Sequence, residues 1–85
     1  AWHKLALALR EAGEFDRAYA AIGRARALAD GAPEIHYSLG NVALDLGRVA
    51  EAEESYRTAL RLEPGYREAH AALNRLLRQY RAGVQ

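Results

Sequence analysis

Moved along by 34 positions, the sequence falls on itself. Leu5 then meets Leu39, Gly13 meets Gly47, Ala18 meets Ala52, Ala25 meets Ala59, Leu28 meets Leu62, Gly31 meets Gly65, Glu34 meets Glu68, His36 meets His70 and Leu39 meets Leu73. A fixed period of this length implies that each unit is one supersecondary element stacked on its neighbours, because one unit cannot bury its apolar face alone. The expected product is an extended surface rather than an enclosed catalytic pocket. The period sets a class of function and leaves the partner unnamed.

Within the period, apolar residues recur at helical spacing and the breaks carry helix-stopping chemistry. Trp2, Leu5, Ala8, Leu9 and Ala12 mark a first helix that ends at Gly13, where glycine takes the left-handed conformation without a Cβ penalty; Gly47 repeats the stop. A second helix is expected from about Phe15 to Ala29, with Ala18, Ile22, Ala25 and Leu28 on one stripe. Asp30, Gly31 and Ala32 form a loop, and Pro33 suits the first turn of a third helix carrying Ile35, Leu39, Val42, Ala43 and Leu46. A fourth helix from Val49 to Leu62 turns Val49, Ala52, Tyr56, Ala59 and Leu62 inward before Glu63-Pro64-Gly65 stops it. A fifth, from Tyr66 to Ala82, carries Ala69, Leu73, Leu76, Leu77 and Tyr80 and reads as an end cap, with arginines on its outer side. At Ala18, Ala25, Ala52 and Ala59 larger side chains would force helices apart, so these positions read as close-packing sites. The expectation is an all-α chain of five antiparallel helices in a single domain: repeat one at 1–32, repeat two at 33–66 and a capping helix at 67–82.

Composition narrows the field further. In 85 residues, 51% apolar, there is material for one small folded domain with a thin core. The absence of cysteine removes disulfides and thiolate metal sites, and leaves the compartment unread. No apolar run approaches the roughly 20 residues of a membrane span, so a water-soluble chain is expected. The chain starts at Ala1, contains no methionine and is already in repeat at Trp2, which reads as an excerpt from a longer protein. Its net charge of +1 hides a gradient, with acids in excess over residues 33–65 and bases in excess over residues 66–85. That balance is far from the strongly basic one that phosphate binding shows.

These residues resemble the tetratricopeptide repeat, a 34-residue helix-turn-helix with the pattern W-x2-L-G-x2-Y, A-x3-F and a closing proline. The first unit reads Trp2, Leu5, Ala6 and Leu9, then Ala18, Ile22 and Ala25; the second reads His36, Leu39, Gly40 and Ala43, then Ala52, Tyr56, Ala59 and Pro64. The third keeps only a first helix, with His70, Leu73, Asn74 and Leu77. Asp30 replaces the closing proline of the first unit, and Asn74 replaces the small residue that lets helices touch, so the array is expected to stop at the fifth helix. The resemblance implies a right-handed superhelical solenoid in which the first helix of each unit lines a concave groove for a peptide or helical segment. Carried onto this chain, the groove residues would be His3, Leu7, Arg10 and Glu11, then Glu34, Tyr37, Asn41, Leu44 and Asp45, then Glu68, Ala71, Arg75, Arg78 and Gln79. Asn41 reads either as a contact that satisfies a bound backbone or as a solvated helix residue, and Tyr37 either as an anchor or as a ring filling the gap between helices.

The resemblance also permits exclusions. Where a related branch grips a chaperone's terminal carboxylates with cations and asparagines, this chain places His3, Leu7, Ser38, Glu68 and Ala72, or from the second unit only Asn41, so that binding mode is not expected. His3, His36 and His70 invite a metal reading, but equivalent atoms of adjacent helices stand about 8–10 Å apart, too far to share one ion at about 2 Å. Ser38, Ser55 and Thr58 have no catalytic motif around them, and Glu51, Glu53 and Glu54 near the start of the fourth helix read as dipole stabilisers. Arg67, Arg75, Arg78 and Arg81 are spread around a helix, with only Tyr66 and Tyr80 to stack on bases, so nucleic acid is not an expected partner. The expected function is protein-protein interaction, without cofactor or catalysis, toward a partner with an acidic end. The alternative is self-association or tethering through an apolar front face at Trp2, Leu5 and Leu9.

Overall fold

The computed structural model describes residues 1–81, with side chains to residue 80. It is all-helical: α1 (Trp2–Glu11), α2 (Phe15–Leu28), α3 (Pro33–Asp45), α4 (Val49–Leu62) and α5 (Arg67–Leu76), the last running into a π-helical stretch, Leu77–Arg81. Ala82, assigned to the fifth helix from sequence, lies outside the described residues. Among the described residues no helix is long and apolar enough to cross a membrane.

Two helical hairpins, α1–α2 and α3–α4, are made by the same turn. Gly13 donates to the Arg10 carbonyl at 3.0 Å and Glu14 to the Leu9 carbonyl at 2.9 Å; Gly47 and Arg48 repeat this onto Leu44 at 2.9 Å and Ala43 at 2.8 Å. This is a Schellman closure, which needs a left-handed residue, and the two glycines supply it with φ of +81° and +79°.

Small residues set how closely the helices approach. Ala18, Ala52 and Ala59 are fully buried and Ala25 nearly so, as the spacing requires. The sharpest case lies between the first helix of each hairpin and its second. Ala6 packs in one cluster with Ile22, whereas Gly40, one period later, faces the bulkier Tyr56, so closely that a Cβ on residue 40 would stand 2.5 Å from the ring. A larger residue on the second helix is thus matched by a smaller one on the first. Asn74, at the third equivalent position, is exposed. Between the hairpins α2 lies on α3, and α5 closes the far side by burying Ala69, Ala72, Leu73 and Leu76.

Of the apolar stripe expected on α1 only Leu9 is covered, half-buried against the first core cluster, and the helix turns another residue inward. Ala6 is its buried residue, while Trp2 and Leu5 are 37% and 46% exposed and Ala8 and Ala12 lie in solvent. The equivalents of Trp2 and Leu5 on α3, His36 and Leu39, are buried because α2 covers them, and no described helix covers α1 in that way. Leu28 and Leu62, also read as inward, are the last residues of α2 and α4 and are 76% and 44% exposed, and Tyr80 is 47% exposed.

The glycines give a direct test. Gly40→Ala should lose about 1–3 kcal/mol by overpacking against Tyr56, and much less in a Tyr56→Ile background that copies the first hairpin. Gly23→Ala, within α2 and with nothing inside 4 Å of the added methyl, should gain about 0.5–1 kcal/mol. Urea midpoints of the four variants check the order.

Candidate functional site

The first helices of the two hairpins are tied by polar bonds between residues 35 apart, one more than the period. His3 Nε2 and Ser38 Oγ are hydrogen-bonded at 2.8 Å. Seven residues along, Arg10 donates from Nε and Nη2 to both carboxylate oxygens of Asp45, the second at 3.3 Å. These pairs clamp α1 to α3 at two heights. Two guanidinium donors of Arg10 are therefore committed within the chain, as is one face of His3.

Beyond this seam, aromatic rings join α3 to α4 and α5. Tyr37 lies 6.0 Å from the Tyr56 ring and 5.4 Å from the Tyr66 ring, both tilted, as aromatic pairs prefer. Tyr37 therefore fills the gap between helices, and it remains half-buried, with part of its ring at the surface. The Tyr56 hydroxyl donates to Asn41 Oδ1 at 2.6 Å. Asn41 is thus more than a solvated helix residue: its oxygen is engaged, and the bond fixes which way the amide points. Leu44 is partly buried against the second core cluster.

The remaining candidate residues separate into two groups. Glu34 and Glu68 come together at a cleft with Glu63, Gly65, Tyr66 and Arg67. Ala71 and Arg75 on α5, and Arg78 and Gln79 on the π-helical stretch, are exposed, as are Leu7 and Glu11 on α1. Ser38, Tyr56, Glu63 and Tyr66 were missed by sequence. Ser38 was legible in principle, since it stands one residue beyond the repeat-equivalent of His3, but the offset that pairs adjacent helices comes from their stagger.

The histidines at equivalent positions have one shared task. His36 Nε2 donates to the Asp30 carbonyl at 2.5 Å and His70 Nε2 to the Pro64 carbonyl at 2.8 Å, each tying a first helix to the loop before it. Asp30 and Pro64 differ as side chains, yet the repeat needs only the backbone oxygen there.

Burial, and then the neighbouring Tyr37, push the Tyr56 phenol from the ordinary 10.0 up to about 12, against the opposing pull of Arg10 and Arg75. A raised folded value means that the stabilisation is complete below about pH 10 and is lost as pH climbs toward 12, since the unfolded chain releases the proton first. The loss is on the order of 2 kcal/mol. Denaturant midpoints between those pH values should fall for the natural chain and fall less for Tyr56→Phe.

The pattern of helix, glycine turn, helix, with paired first helices and small residues at the crossings, can be set beside known proteins. A model of the tetratricopeptide repeat matches residues 3–67. No curated protein matches the chain. Tetratricopeptide repeats are generally protein-protein interaction modules and typically non-catalytic. With the match spanning most of its helices, the chain belongs to the tetratricopeptide repeat family.

Proposed function

We propose that α1, α3 and α5 present one surface that binds an extended or helical peptide segment of a partner protein. The observation that supports it most is the Asn41 amide. With Oδ1 held by the Tyr56 hydroxyl, its two N–H donors point in a set direction from a half-exposed side chain, ready for backbone carbonyls of a bound peptide. A side chain already fixed loses little freedom on binding. Tyr37 and Leu44 add apolar contact on either side. Arg75 and Arg78 are exposed and form no ion pair among the described residues, so they favour an acidic stretch of the partner near α5. Arg10 is a framing residue in this reading, since Asp45 already holds it.

A peptide selected from a randomised library provides the test. Asn41→Ala would orphan the buried Tyr56 hydroxyl and confuse binding with stability, whereas Asn41→Asp keeps the acceptor and removes the donors. Asn41→Asp should weaken the selected peptide about tenfold with little change in melting temperature. Arg75→Glu should weaken peptides with acidic ends. Affinity unchanged by both substitutions refutes the groove.

A second reading, self-association or tethering, is favoured by one patch. Trp2, Ala20, Gly23, Arg24, Ala27 and Leu28 line a cleft of about 450 Å³, with the Arg24 guanidinium 5.2 Å from the Trp2 ring centre and Leu28 largely exposed. At the equivalents of Ala20, Gly23 and Ala27 the second hairpin carries Glu54, Arg57 and Arg61, so the apolar surface belongs to the first hairpin alone. Light scattering over a concentration series should show mass rising for the natural chain and not for Leu28→Glu; a strict monomer excludes self-association.

A further inference from the structure

Both helices of the first hairpin grip the turn between α3 and α4. From α1, Arg10 donates to both carboxylate oxygens of Asp45, the last residue of α3. From α2, Tyr19 packs against the first core cluster and its hydroxyl donates to Glu51, in the first turn of α4, at 2.7 Å. The Arg48 guanidinium, from the turn itself, lies 4.7 Å from the centre of the Tyr19 ring. The bond to Glu51 holds the Tyr19 phenol above its ordinary value, and the bond to Asp45 does the same for the Arg10 guanidinium.

The repeat alone does not require these residues. One period on from Arg10 and Tyr19 stand Leu44, which packs toward the second core cluster, and Glu53, which pairs with Arg57 on its own helix. The dipole of α4 favours an acid at position 51 and does not account for the tyrosine that meets it. Leverage accounts for both grips. The hairpins are joined covalently at the start of α3, where His36 also ties the helix to the Asp30 carbonyl. The first core cluster reaches α3 at Ile35 and Leu39, and the His3–Ser38 bond lies at the same height. Asp45 stands about 9 Å further along the helix axis than Leu39. Between them lie Asn41 and Leu44, so the part of α3 that the proposed groove uses is the part whose direction the two grips control.

We infer that Tyr19, outside the proposed groove, is a positioning residue for peptide binding: together with Arg10 it clasps the α3–α4 turn and sets how far α3 stands from α1. The inference rests on the groove reading for the peptide it positions. Water reaches the clasp, since the Arg10 and Asp45 side chains are 40% and 20% exposed. Such bonds add little to global stability, yet two of them on either side of one turn fix an angle. Loosening the clasp therefore alters the spacing of the hairpins more than it alters melting.

Because the chain has no cysteine, spin labels can be attached at Ala12→Cys and Ala50→Cys, two exposed positions on either side of the clasp. Pulsed electron resonance should give a narrow distance distribution with the clasp intact. It should give a broader and longer one for Tyr19→Phe, and more so when Arg10→Gln is added. Tyr19→Phe keeps the ring beside Arg48 and removes only the hydroxyl. Glu51→Gln keeps an acceptor for that hydroxyl and should retain the narrow distribution. The double variant should bind the library peptide about fivefold or more weakly with its melting temperature nearly unchanged, which bonds serving stability alone would not do. An unchanged distance distribution in the double variant overturns the inference. Asn41→Asp separates the two readings. Peptide binding lost in Asn41→Asp but kept in the double variant overturns the positioning role and leaves the groove standing. Binding lost in the double variant but kept in Asn41→Asp supports the positioning role and overturns the Asn41 contact.

Discussion

Because residue 40 has no side chain, the ring of Tyr56 lies directly on the backbone of α3. From that contact the rest of the second hairpin follows. The hydroxyl reaches Asn41 on the same helix, the ring edge meets Tyr37, and Tyr37 in turn meets Tyr66 at the start of α5. One missing methyl therefore links α4, α3 and α5. It also sets the orientation of the Asn41 amide, on which the proposed recognition of a peptide depends. The first hairpin solves the same packing problem with Ala6 against Ile22, and it builds no aromatic chain.

Polar groups along the first helices serve the architecture before they serve a ligand. His3 with Ser38 and Arg10 with Asp45 pair across adjacent helices, where water would otherwise compete for each group singly. Net hydrogen bonding of this sort contributes about 1 kcal/mol per bond, but two bonds at separate heights also fix the angle between α1 and α3. In the proposed groove, such pairs would set the shape before a partner arrives. On the α3–α5 side, which the proposed function uses, the Asn41 nitrogen, Arg75 and Arg78 form no hydrogen bond or ion pair among the described residues, and Tyr37 keeps part of its ring at the surface.

Much of the helix layout was legible from residues alone. The glycine stops at Gly13 and Gly47, the bounds of α4 and the alanines at the crossings stand where a 3.6-residue period and left-handed turn chemistry put them. The ends were less legible. Trp2, Leu5, Leu28, Leu62 and Tyr80 satisfy the apolar stripe and are nonetheless exposed, since periodicity shows which face could be buried and not whether another helix lies on it. For the candidate site, the spacing assigned residues to the first helices of the units, with Arg78 and Gln79 falling on the π-helical stretch beyond α5. It did not separate side chains already bonded within the chain, such as Arg10, from those left over, such as Arg75.

By itself the sequence determined the repeat: helices of set length, glycine turns, and small residues wherever two helices cross, because these follow from backbone dihedrals and side-chain volume along one segment. Only the tertiary structure decided the use of the polar and aromatic residues. Adjacent helices are staggered by one residue beyond the period, so His3 meets Ser38 rather than Tyr37, and Arg10 meets Asp45 rather than Leu44. A hydrogen bond depends on that offset to within a fraction of an ångström, and no pattern along one chain carries it.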